Sequence, residues 1–266
     1  MSFLKNHNVT QSSDGGRTIV FVHGYGCDQN MWRYVVPLLF GTGKIVLYDL
    51  MGMGKSDAAN YDFDRYQSLT GHAEDLVGIL DELDAVDAVL VGHSVGGTIA
   101  ALAAQMVPDR IKALALIAPS PCFINDADYV GGFDLETIEG LIDLMEQNFL
   151  GWTSQLVPTI TGQKADGLAS TELAESFCRA NPKISKHFGR VTFLADHRED
   201  MSKIHCQTLI VQCSDDGLAP LNVGNWLASA IPSSELKVVD ATGHCPHMTE
   251  PAKTADLLAE FLETLK

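Results

Sequence analysis

The stretch Val91-Gly92-His93-Ser94-Val95-Gly96-Gly97 constrains this chain more than any other. It follows the apolar run Asp87-Ala88-Val89-Leu90-Val91, which reads as a buried strand. It opens onto Thr98-Ile99-Ala100-Ala101-Leu102-Ala103-Ala104, which reads as a closely packed helix. A serine with glycine two places before and two places after, caught between strand and helix, is a G-x-S-x-G turn. Such a turn is so sharp that side chains at the flanking positions would collide, and glycine removes them. The serine oxygen is then held out at the end of a sheet, where the first N–H groups of the helix point at the same spot.

The surrounding pattern supplies that sheet. Arg17-Thr18-Ile19-Val20-Phe21-Val22 and Lys44-Ile45-Val46-Leu47-Tyr48 read as buried strands, with a helix expected near Trp32 to Leu39 between them. Leu69, Ala73, Leu76, Leu80 and Leu83 recur at helical spacing. Ala113-Leu114-Ala115-Leu116-Ile117 is a further strand, after a helix stopped near Pro108. Strands alternating with helices predict an α/β fold, a mostly parallel central sheet flanked by helices. From about Pro121 the strands cease. Leu135, Ile138, Leu141, Ile142 and Met145 share one helical face, Gly151 to Pro158 is a shorter piece, Ser170 can cap a helix through Cys178, and Asn181-Pro182 starts another. These predict a four-helix lid inserted in the sheet. Alternation resumes with a strand at Thr208 to Gln212, a helix at Leu221 to Ala230, a strand at Leu236 to Val239 and a last helix through Leu265. The expected organisation is a first core segment at 1–124, the helical lid at 125–189, and a second core segment at 190–266.

Composition narrows the partners. A formal net charge of -16 with no basic cluster disfavours nucleic acid and anionic membrane surfaces. No apolar run reaches membrane-spanning length, and Met1 to Asn8 lacks the apolar core of a signal peptide. The 6 cysteines form no C-x-x-C pair, so neither zinc nor a disulfide framework is expected. A reduced, cytoplasmic protein is the expectation. Gly52-Met53-Gly54-Lys55-Ser56 ends like a phosphate-binding loop, but Asp49 stands where that motif requires glycine. No cofactor or metal is expected.

A serine hydroxyl needs a base to take its proton, and the base needs a partner that fixes its tautomer. Asp216 and His244 each follow the end of a predicted strand, and the order Ser94, Asp216, His244 is the chain order of hydrolases built on such a sheet. Asp215 competes with Asp216, which is favoured by its spacing to Pro220; His247 competes with His244, which is favoured by Gly243 after the last strand. The expected oxyanion donors are the backbone N–H groups of Val95 and of Tyr25 in His23-Gly24-Tyr25-Gly26. His23 is expected to shape that loop and His93 to pack and hydrogen-bond. Cys27 and Cys245 are expected to be packing residues beside the site. Phe123, Phe133, Phe149, Trp152, Phe177 and Phe193 make the lid aromatic, so a small apolar pocket suits an ester or lactone.

With these residues in place the chain resembles the α/β-hydrolases over its whole length, including Asp49-x-x-Gly52-x-Gly54-x-Ser56. More narrowly it resembles the group containing the bacterial sigma-B regulator RsbQ and the plant karrikin and strigolactone receptors. The resemblance rests on Gly24-Tyr25-Gly26-Cys27-Asp28-Gln29 with Trp32, Tyr66-Gln67-Ser68-Leu69 and Gly92-His93-Ser94-Val95-Gly96. It extends to Pro119-Ser120-Pro121-Cys122-Phe123, Asp196-His197-Arg198-Glu199-Asp200 and Gly243-His244-Cys245-Pro246-His247-Met248. It implies a Ser-His-Asp hydrolase used for signalling, slow on a small hydrophobic ligand. It also implies a pocket lined by Tyr25, Phe133, Trp152 and Phe193, to which Phe123 is added. From the bacterial regulator it implies a PP2C-type phosphatase partner with a PAS domain. Members of the group often carry phenylalanine where Tyr25 stands. The alternative is a metabolic carboxylesterase without a signalling partner. Dehalogenase and epoxide hydrolase chemistry is disfavoured, because those sites use an aspartate nucleophile where Ser94 stands.

Overall fold

The apolar runs become strands buried on both faces. Along β2, Ile19 and Phe21 enter one hydrophobic core and Val20 and Val22 the other, as a two-residue side-chain period requires of a sheet covered on both sides. The computed structural model describes residues 2–265; Met1 and Lys266, at the ends of the first and last stretches discussed above, lie outside the described residues. In chain order the first part holds α1 (Phe3–Asn6), β1 (Thr10–Gln11), β2 (Thr18–Val22), β3 (Lys44–Leu47), α2 (Thr70–Glu82), β4 (Ala88–His93), α3 (Val95–Met106) and β5 (Ile111–Ile117). The lid follows as α4 (Leu135–Gln147), α5 (Phe149–Thr161), α6 (Leu168–Arg179) and α7 (Pro182–Leu194). The chain closes with α8 (Arg198–Met201), β6 (Gln207–Asp215), α9 (Leu221–Ala230), β7 (Ser234–Thr242), α10 (Pro246–Thr249) and α11 (Pro251–Thr264).

The seven strands lie in the order β1-β3-β2-β4-β5-β6-β7, with only the β1–β3 pair antiparallel. Leu76, Ile79 and Leu80 of α2, the inner residues of α3, and Val223 and Leu227 of α9 cover one face. Leu258 and Leu262 of α11, with Trp32, Val35 and Leu39, cover the other. Each such side chain taken fully out of water contributes about 1.5–3 kcal/mol. The chain leaves β2 for β3 on one side and returns to β4 on the other. That reversal opens a crevice at the carboxyl ends of β2 and β4, where open α/β sheets bind ligands.

Local departures from the sequence reading have visible causes. The helix expected near Trp32 to Leu39 is two 3-10 turns, Gln29–Tyr34 and Val36–Leu39, because Pro37 cannot continue the first. Helix α5 does not stop at Pro158 but runs through it to Thr161, ended by left-handed Gly162. Ser170 does not cap α6: the helix starts after Gly167, and the Ser170 hydroxyl is buried 2.6 Å from that of Thr161. Asn181 caps α7 as expected, accepting from Lys183 and Ile184, with Pro182 at the first helical position. Helix α7 continues to Leu194, so the lid boundary drawn at residue 189 falls inside it. The edge elements α1, β1, α8 and α10 carry too short a pattern to be read from sequence. No helix among the described residues is long and apolar enough to cross a membrane.

Candidate active site

Strand pairing brings the pieces together. Val22 lies opposite Gly92, so the loop carrying Tyr25 and the turn carrying Ser94 leave adjacent strands side by side. Asp215 lies opposite Thr242, so Asp216 and His244 leave β6 and β7, beyond β5, together. Ser94 has φ 54° and ψ -126°, a conformation that costs energy for a residue with a side chain and lifts its hydroxyl out of the turn. The flanking glycines are required by contact. A Cβ on Gly92 would sit 2.5 Å from the Gly96 carbonyl oxygen, and one on Gly96 would sit 2.5 Å from the carbonyl oxygens of Val22 and His23.

His244 Nε2 is 2.8 Å from Ser94 Oγ, and His244 Nδ1 is 2.7 Å from Asp216 Oδ2. The carboxylate can only accept, so Nδ1 carries the proton and Nε2 is free to accept from the serine hydroxyl. The other Asp216 oxygen accepts from the N–H groups of Leu218 at 2.8 Å and Ala219 at 3.0 Å, and Gln212 Nε2 donates to Oδ2 at 3.2 Å. Burial pushes the Asp216 carboxyl up, but the facing His244 and these N–H donors outweigh it and leave it below its ordinary value. All three side chains are buried. Asp215, the competitor, is exposed, and its carboxylate accepts from the Thr242 hydroxyl at 3.2 Å rather than from His244.

The remaining histidines support this arrangement. His23 accepts from Leu50 N–H through Nε2 and donates through Nδ1 to the Gly24 carbonyl, each at 2.9 Å, which fixes the loop before Tyr25. His247, the competitor of His244, is fully buried, its ring 4.9 Å from Trp32 and 4.3 Å from His93. The ligating atoms of His93, Cys245 and His247 lie within 4.8 Å of one another. Burial pushes the Cys27 and Cys245 thiols up, so both stay protonated and are poor nucleophiles.

Tyr25, Phe123 and Phe193 line the space over Ser94 together with Cys27, Ile160, Leu173, Thr192, Leu218 and Cys245. Phe133 and Trp152 do not line it. Trp152 stands behind the lining, edge-on to Tyr25 and Phe193, and Phe133 pairs through its backbone with Phe123 and Asn125. The space that the lining side chains leave over Ser94 is narrow and mostly apolar. Sequence reading did not find Ile160, Leu173, Thr192 and Leu218, because small and aliphatic residues carry no signal of their own. The lid also reaches His244 directly: the carbonyl of Ile160, in the last turn of α5, accepts from its N–H at 2.6 Å.

Comparison with known proteins identifies the family. Residues 17–251 match the model of the alpha/beta hydrolase fold family. The chain is 37% identical to the Karrikin insensitive 2 receptor B of Petunia hybrida over 228 residues, 85% of this chain and 84% of that protein. It is 31% identical to the Strigolactone esterase D14 of Arabidopsis thaliana over 262 residues, 98% of each. Among solved structures, a hydrolase from Oleispira antarctica superposes with a TM-score of 0.95 at 39% identity, covering 98% of this chain and 96% of that one. The chain therefore belongs to the α/β-hydrolase family, in its karrikin- and strigolactone-receptor-like group.

Proposed function

We propose that this hydrolase uses Ser94, His244 and Asp216 to cleave a small hydrophobic ester or lactone, slowly and in the service of signalling. The observation that carries the reading is the unbroken run of contacts from Ser94 Oγ through His244 to Asp216, at 2.8 and 2.7 Å, beneath an apolar lining. Ser94 Oγ attacks the carbonyl while His244 Nε2 takes its proton, and Asp216 stabilises the imidazolium that forms. The N–H groups of Val95 and Tyr25 receive the developing oxyanion. Among the described residues neither N–H has a protein acceptor, which supports the assignment. The tetrahedral intermediate collapses as His244 protonates the leaving alkoxide. Water, deprotonated by the same nitrogen, then releases the acid and restores Ser94. For a lactone the alkoxide stays attached to the acyl group, so both halves leave as one hydroxy acid.

The narrow cavity and its lining of Tyr25, Phe123 and Phe193 favour a small apolar acyl group. The relatives named as receptors support the signalling half of the reading, and a PP2C-type phosphatase with a PAS domain is the partner proposed by resemblance to the bacterial regulator. The test is turnover of p-nitrophenyl acetate and of a butenolide lactone by wild type and Ser94→Ala, with melting temperature recorded for each compound. Slow, Ser94-dependent turnover accompanied by a thermal shift supports a sensor hydrolase. Fast turnover across many esters without a thermal shift replaces it with a metabolic carboxylesterase.

A further inference from the structure

The Tyr25 hydroxyl does not face an open pocket. It donates to the carbonyl of Ser185 in α7 at 2.9 Å and lies 3.3 Å from Met145 Sδ in α4. The ring meets Phe177 of α6 at 5.4 Å, Phe188 and Phe193 of α7 at 5.8 Å, and Trp152 of α5 at 6.1 Å between centroids, all edge-on. One core side chain thus touches all four lid helices, two of them through its hydroxyl. The same residue lines the narrow space over Ser94. Lifting α4 or α7 to widen this space for a long acyl group breaks the Tyr25 contacts with Met145 and Ser185.

We propose that the Tyr25 hydroxyl is a specificity-determining latch: it holds α4 and α7 down over Ser94, and its release limits the size of acyl group that the site accepts. The inference rests on the serine-hydrolase reading above. A latch lowers apparent affinity by the fraction of molecules that are open, and it does so most for acyl groups that need the widest opening. It leaves the chemical groups alone, because the proposed oxyanion donor of Tyr25 is its backbone N–H.

Tyr25→Phe keeps the ring contacts and removes only the hydroxyl. Across p-nitrophenyl esters from acetate to octanoate, the variant should raise kcat/KM for the long esters about fivefold relative to acetate, the effect of one neutral hydrogen bond. The gain should appear in KM rather than in kcat. Amide hydrogen exchange over α7 should quicken by a similar factor. Gly189→Ala provides the second arm from the lid side. Its new methyl would stand 2.6 Å from Tyr25 Oη and 2.9 Å from Met145 Sδ, so it should displace the hydroxyl and shift preference the same way. An unchanged ratio of long to short esters in Tyr25→Phe, or an equal loss of kcat at every length, overturns the latch. If wild type cleaves no ester at all, the hydrolase reading fails separately, and unchanged exchange over α7 in Tyr25→Phe then rejects the latch on its own.

Discussion

His93 donates through Nε2 to the backbone carbonyl of His244 at 2.8 Å. Burial, then the nearby His244, pushes the His93 ring down to about 3, so it stays neutral and keeps one donor for this bond. The residue beside Ser94 thereby fixes the segment that carries His244, the proposed base. His93→Phe keeps a ring there and removes the donor. Its kcat should fall about tenfold, the upper range for one neutral hydrogen bond, with KM within about twofold. Steady-state kinetics on p-nitrophenyl acetate checks this, and an unchanged kcat would show that the bond does not position His244.

Asp216→Asn preserves an oxygen for the Leu218 and Ala219 N–H groups but presents the wrong partner to His244 Nδ1. Turnover should drop by about 10⁴-fold, as expected when the base is held in the wrong tautomer. Asp215→Asn, at the exposed neighbour, should stay within about twofold of wild type, as surface changes away from a site generally do. Equal losses in the two variants would mean that the orienting carboxylate has been misassigned.

The glycine after the nucleophile is packed against strand β2, with no room for a methyl group. Gly96→Ala should destabilise the fold by about 2–3 kcal/mol, the usual cost of overpacking against backbone. At this size that lowers the melting temperature by about 5–10 °C. Calorimetry that finds no change would contradict the geometry of the turn.

Acid should loosen the fold well above the carboxylate range. Burial pushes His72 and His93 down to about 3 from an ordinary 6.5, and it lowers His7, His23 and His247 as well. A folded pKa below the unfolded one means that the unfolded chain binds more protons between the two values. Stability is therefore complete above about 6.5 and is lost as pH falls from there toward about 3. Each such histidine costs about 1.4 kcal/mol per pH unit in this window. His72 and His93 alone should then lower the melting temperature by about 5–10 °C between pH 7.5 and 5.5. A melting temperature that stays flat over this interval would contradict the burial of these rings.

The sequence made the turn at Ser94 legible because its requirement is local: two glycines, a strand and a helix within twenty residues. Asp216 and His244 were legible because each closes a strand, and the sheet brings strand ends together. The seal over the site was not. The Tyr25–Ser185 and Ile160–His244 hydrogen bonds link a core loop or strand end to a lid helix far away in the chain, and each uses a backbone carbonyl that every residue possesses. The family resemblance implies Trp152 and Phe133 as pocket residues, yet helix packing turns Trp152 behind Tyr25 and Phe193, and Phe133 pairs through its backbone with Phe123 and Asn125. Pro37 and Pro158 look alike in sequence; the first sits at the start of the second short turn and the second inside a helix, because surrounding contacts decide whether a lost N–H is tolerated.

The most direct measurement is intact-protein mass spectrometry after treatment with a fluorophosphonate, followed by peptide mapping, on wild type and Ser94→Ala. Wild type should gain one adduct, located on Ser94, and lose ester turnover in proportion; Ser94→Ala should gain none. An unmodified wild type, or equal labelling of Ser94→Ala at another residue, would contradict the assignment of Ser94 as the nucleophile.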